Sequence, residues 1–137
     1  MRGLLPLIKT ALAGVFTGIR SSDIFLIPEP SIIPDGVRFP CIGIKDGKVD
    51  ISELMGNVLE KTLPVEIYYY DRLTQGDDCI LDFLEKGDDI HDELTENYLS
   101  GYVKSTSPRS ETPVKTMYTK KGLILRKGLF YKYEREE

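Results

Sequence analysis

The run Asp88-Asp89-Ile90-His91-Asp92 sets carboxylates beside an imidazole, the donor types a divalent metal takes. Phosphohydrolases that pair histidine with aspartate need further histidines from other helices, and His91 is the chain's single histidine. Asp88 and Asp92, four apart, share a helix face, which also reads as a solvated acidic stripe. A nuclease pattern begins at Pro34-Asp35 and could close on Lys45, but the position two before that lysine is Gly43, which ligates nothing. Cys79 lies early in a helical segment, where the dipole could lower a thiol pKa. Its one possible base, His91, is twelve positions on, about 18 Å along the same helix. Nothing supports pairing His91 with Cys41 instead, and no glycine-rich phosphate loop occurs. These failures predict a protein that is not an enzyme and has no cofactor, metal or catalytic residue. The alternative is a small metal-dependent nuclease or hydrolase using Asp88, His91 and Asp92.

Composition narrows the classes further. At 137 residues the chain suits one domain, residues 1–137, which can bury roughly two-thirds of its unfolded surface without a metal or disulfide. A net charge of −4 argues against direct sequence-specific nucleic-acid binding. Two cysteines and one histidine exclude a zinc finger and a disulfide framework, and fit reduced thiols in a protein made in the cytoplasm. The apolar start is broken by Lys9 and falls short of the roughly 18 residues of a membrane span, so no membrane partner is expected.

The elements that must position any site follow from periodicity. Leu5, Ile8, Leu12, Val15, Phe16 and Ile19 predict a helix over residues 3–19. Pro28, Pro30 and Pro34 make residues 24–36 an extended arm lying on something apolar. A sheet-and-helix core then fills residues 38–134. A short strand at 39–45 precedes one at about 58–72, whose Leu59, Leu63, Val65, Ile67 and Tyr69 alternate with wetter positions. Asp77 and Asp78 cap a helix running to about residue 100, and Gly87 inside it marks a kink or a close packing contact. Residues 101–113, polar with two prolines, read as a long exposed loop. Strands at 114–118 and 123–134 close the chain, with Leu123, Leu125, Leu129, Tyr131 and Tyr133 on one face and Lys127 as the exception. The expected class is α+β: one mixed or antiparallel sheet of about four strands with two main helices packed on it.

Charge is unevenly spread. Residues 71–96 hold ten acids and two bases, net −8, whereas residues 102–137 hold nine bases and four acids, net +5. Two solvated faces of opposite sign would explain this. The sharper reading sets Asp82, Asp89 and Glu93 on one subunit's helix against Lys115, Lys120, Lys121 and Arg126 on its neighbour's hairpin, a head-to-tail contact that can close a ring. Tyr68, Tyr69, Tyr70, Phe130, Tyr131 and Tyr133 are of a type enriched at interfaces, although core packing accounts for some.

The order of elements, with Phe39-Pro40-Cys41-Ile42-Gly43-Ile44 opening the sheet, Val65-Glu66-Ile67-Tyr68-Tyr69-Tyr70 in the long strand and Gly128-Leu129-Phe130-Tyr131-Lys132-Tyr133 closing it, resembles the neck and tail-terminator (tail-completion) proteins of long-tailed bacteriophages. The likeness runs over residues 4–134 and departs at the longer arm (24–36) and at residues 49–55. It implies a virion subunit without catalytic residues, whose ring, a hexamer in the family, caps the tail tube and joins it to the head connector. Its partners would be further copies of itself and the tail-tube and head-connector proteins. Another neck component, a connector or stopper, is the alternative within that class. Pro28, Pro30 and Pro34 of the arm, with Lys104 and Arg109 of the expected loop, are the candidate contacts with neighbours.

Overall fold

Alternation at period two makes one strand the spine of the molecule. The computed structural model describes Met1–Glu137. In chain order the elements are α1 (Leu4–Leu12), β1 (Ile24–Leu26), β2 (Cys41–Asp46), β3 (Asp50–Glu53), β4 (Leu59–Arg72), α2 (Asp77–Leu94), β5 (Ser105–Glu111), β6 (Lys115–Thr119) and β7 (Gly122–Glu136). β4 and β7 pair antiparallel through thirteen positions, from Glu60 opposite Glu136 to Arg72 opposite Ile124. That ribbon is roughly 40 Å long at the rise of a strand. β2 and β3 lie end to end along β4, β5 and β6 lie end to end along β7, and β1 joins β2 in parallel.

The class is α+β as expected, but the mixed sheet has seven strands, not four. Two of the three extra strands, β3 and β5, lie in stretches without apolar alternation, because an edge strand is held by backbone pairing and leaves its side chains wet; the third, β1, buries Ile24 and Phe25. β5 occupies the stretch expected as a loop. Pro108 is tolerated there because it sits on the outer edge, at a register shift between Pro108 and Ser110. β3 falls in residues 49–55, and β1 begins the proline arm.

Both helices are shorter than their apolar periodicity suggests. α1 stops at Leu12, not residue 19, since Gly14 and Gly18 take positive φ; Phe16 is still buried as irregular chain. α2 stops at Leu94, and Glu96, Leu99, Ser100 and Gly101 turn the chain with positive φ while Leu99 keeps a core position. The N-cap of α2 is Gly76; Asp77 and Asp78 occupy the first turn, where the dipole favours them.

The sheet is covered on both faces. Leu4, Ile8 and Leu12 of α1 and Phe83, Ile90 and Leu94 of α2 pack with Ile42, Ile67, Tyr69, Leu129, Tyr131 and Tyr133 in the main core. At Gly87 the Tyr69 ring comes so close that a Cβ would lie 2.4 Å from its hydroxyl, so the glycine is a packing contact. The arm covers part of the opposite face, where Phe25, Ile27 and Val37 pack with Cys41, Tyr68, Tyr70 and Ile124. Tyr70 Oη donates to the Pro30 carbonyl at 2.8 Å, tying the arm's middle to the sheet.

Candidate functional site

The acidic cluster at His91 comes apart once α2 is seated. His91 turns toward β7, its ring stacked on Tyr131 at 6.0 Å with Nδ1 3.1 Å from Tyr131 Oη, while Asp88, Asp89 and Asp92 point to solvent. His91 therefore docks the helix on the sheet. No group of three or more His, Cys, Asp or Glu side chains converges closely enough to hold a metal ion. Lys45 Nζ sits 3.4 Å from Glu66, whereas Asp35 stands on the arm 4.0 Å from Lys120 Nζ, so the nuclease-like residues are not brought together. Cys41 is fully buried, and burial pushes its thiol up to about 12; Cys79, half-buried, accepts from the Thr74 amide at 3.3 Å.

The aromatic residues offered as interface are core instead. Tyr68, Tyr69, Tyr70, Tyr131 and Tyr133 are buried, and Phe130 is half-buried edge-on to Tyr68 at 6.0 Å. Alternation on a doubly covered sheet puts consecutive tyrosines inside on both faces. Burial raises the phenol of Tyr133 to about 12 and shifts Tyr69, Tyr70 and Tyr131 in the same direction.

The acids of the expected interface stand on α2, and its bases on β6, the β6–β7 turn and β7. Asp82 and Asp89 are exposed on α2 and line an open cavity of about 330 Å³ with Glu85, Lys86, Phe16 and Pro40. Glu93 is exposed one turn beyond Asp89, and Lys86 neutralises Asp71 at 3.3 Å. Among the bases, Lys115 and Lys120 are exposed and project from β6 and the β6–β7 turn. Lys121 is committed within the chain, its amine donating to the Val37 carbonyl and lying 5.5 Å above the Phe39 ring. Arg126 turns inward to Met117 Sδ at 3.8 Å. Of the four predicted bases, Lys115 alone has no partner within the chain, and Lys120 keeps only a loose, exposed pairing with Asp35 at 4.0 Å.

The candidate contact segments separate in the same way. Pro30 is held through its carbonyl, while Pro28 and Pro34 are exposed. Lys104 is engaged by Glu60 at 2.5 Å and Glu136 at 3.0 Å, which raises its pKa; Arg109 is exposed at the β5 irregularity.

Two features escaped the sequence reading. Buried Asp23 clasps both ends of the arm: Arg20 Nη2 and Nε donate to its carboxylate at 2.8 and 3.1 Å, the Arg38 amide at 2.9 Å, and Arg20 also reaches the Gly36 carbonyl at 3.1 Å. The Arg20 guanidinium holds the Asp23 carboxyl well below the usual carboxylate range. The second feature is an apolar tip on the β3–β4 hairpin, where Ile51, Leu54, Met55 and Leu59 are all exposed. Its signal was Met55-Gly56-Asn57, a turn with apolar residues on either side.

No helix is long and apolar enough to cross a membrane. No family model and no curated protein matches this sequence. In fold the chain is similar to a chain in the virion of a native gene transfer agent particle, with a TM-score of 0.57 over 98% of this chain and 95% of that one, at 12% identity.

Proposed function

We propose that this chain is a structural subunit of a phage-like virion, a tail-terminator (tail-completion) protein whose ring, a hexamer in the family it resembles, caps the tail tube and joins it to the head connector. The observation that carries this reading is the end-to-end likeness of fold to a virion chain, with almost no residue of either left over. The dispersal of every candidate catalytic group agrees with a role in assembly. So do the exposed acids Asp82, Asp89 and Glu93 and the exposed bases Lys115 and Lys120, opposite signs on different elements of one subunit. Such a pattern draws copies together head to tail, and a head-to-tail contact closes when its rotation divides the circle.

Labelling purified particles with an antibody to this chain tests the position: label at the head–tail junction supports the reading, and label confined to the capsid or distal tail overturns it. Light scattering on the purified chain tests the ring, which is expected to grow with concentration and shrink with salt. A monomer that cleaves DNA or a phosphate ester with Mn²⁺, and stops when His91 is replaced, would establish the enzymatic alternative.

A further inference from the structure

The two ends of the β4–β7 ribbon differ in a way the ring reading leaves unused. At one end, the β3–β4 hairpin exposes Ile51, Leu54, Met55 and Leu59, with Met55 97% exposed. Asp50 and Glu53 flank this tip on the unpaired edge of β3 and make no ion pair within the chain. At the other end, the β6–β7 turn and the arm enclose an open cavity of about 260 Å³ of mixed lining, Ile33, Phe39 and Tyr118 beside Asp35, Thr119 and Lys121. Lys120 borders it, and Lys115 stands further along β6, which is also an unpaired edge.

We propose that the β3–β4 tip of one copy seats at the β6–β7 end of the next, Met55 entering the cavity between arm and hairpin while Asp50 and Glu53 face Lys115 and Lys120. A second copy is the occupant because one chain carries both halves: an apolar knob with acids at one end, and at the other a partly apolar cavity beside the exposed bases Lys115 and Lys120, the latter only loosely paired with Asp35 at 4.0 Å. The halves lie roughly 40 Å apart on one rigid ribbon, so no chain can satisfy its own. The contact is heterologous, the kind that builds rings. Each end presents an unpaired strand edge, so backbone pairing can extend the sheet from copy to copy. This rests on the ring reading and names its short-range contact; the acids of α2 remain wet and act at a distance.

Two sets of full-length variants test it. Asp50→Lys with Glu53→Lys, and separately Lys115→Glu with Lys120→Glu, are each expected to weaken self-association roughly tenfold or more. Mixing the two variants, or combining all four changes in one chain, is expected to restore it. Met55→Glu should weaken association alike with the fold intact, since the side chain is solvent-bathed. In a Cys79→Ser background, Met55→Cys mixed with Tyr118→Cys should form a disulfide dimer on mild oxidation, and the double variant a ladder. If the unaltered chain associates but the charge variants associate equally well and no cross-link forms, this contact is wrong and the ring reading stands. A chain that stays monomeric at every concentration overturns both.

Discussion

Tyr69 leaves its neighbours no freedom to grow. Its ring is fully buried, stacks on Phe83 at 4.3 Å and presses its hydroxyl on the helix backbone at Gly87. Replacing a mid-helix glycine by alanine ordinarily gains about 1 kcal/mol. Here the new methyl would meet Tyr69 Oη at 2.4 Å, and the stack on Phe83 prevents the ring from swinging aside. Overpacking of that kind costs about 1–3 kcal/mol and wins, so Gly87→Ala is expected to lower the midpoint of urea unfolding. A raised midpoint would show that the ring is free to move. Asp23 sets a pH dependence. Its folded pKa is depressed, so its stabilisation is complete above the unfolded value of about 3.9 and is lost as pH falls from there toward the folded value. Asp23→Asn keeps the shape but discards the charge. It is expected to cost about 2 kcal/mol at pH 7, allowing for the half-exposed Arg20, and to cost progressively less in urea titrations taken down from pH 5. An equal loss at every pH would refute the charge assignment. The cysteines give a third check: a thiol-reactive dye at pH 8 is expected to label Cys79 in the native protein and to reach Cys41, buried and with its pKa pushed up to about 12, only on unfolding.

Among the elements, β4 and β7 were legible because each buries alternate residues, and period two is visible wherever one face is dry. β5 was hidden for the opposite reason. Its pattern Ser-Thr-Ser-Pro-Arg-Ser-Glu carries no alternation, since as an edge strand it is specified by the N–H and C=O groups of β7. Lys127, the odd member of an apolar face, meets Glu111 of that same hidden strand at 3.0 Å, so the exception marked an unseen neighbour. The prolines and apolar residues of the arm suggested chain lying on something, and what Phe25, Ile27 and Val37 pack on is the chain's own sheet. Of the candidate site, the opposite charges were readable while their availability was not. Whether Lys121 or Arg126 is free depends on a carbonyl at Val37 and a sulfur at Met117, one of them far away in sequence. The arm's attachment is testable as an element. Tyr70→Phe removes its hydrogen bond to the Pro30 carbonyl and leaves the ring's packing, so amide exchange is expected to accelerate within the arm and hold steady in β4 and β7. Uniform acceleration would mean that the arm opens only with the whole domain.

At the scale of the whole molecule, the acids of α2 and the contact proposed at the ribbon's ends would act over different distances and can be separated. Asp82, Asp89 and Glu93 are exposed and stand on a helix whose only bases are Lys86, already held by Asp71, and the weakly basic His91. Their field reaches about one Debye length, near 10 Å at 0.1 M salt, which is enough to orient an approaching basic hairpin before any atoms touch. In the proposed ring, a field of that range would govern how often copies meet, and the tip in its cavity how long they stay. Reversing all three acids to lysine is therefore expected to slow association by about tenfold at low salt, to flatten its salt dependence and to leave dissociation nearly unchanged. Met55→Glu is expected to do the reverse, quickening dissociation with the salt slope kept. Stopped-flow light scattering at several salt concentrations measures both rates. If the α2 variant dissociates faster with its association rate intact, those acids lie inside the contact, and the division between steering and seating is wrong.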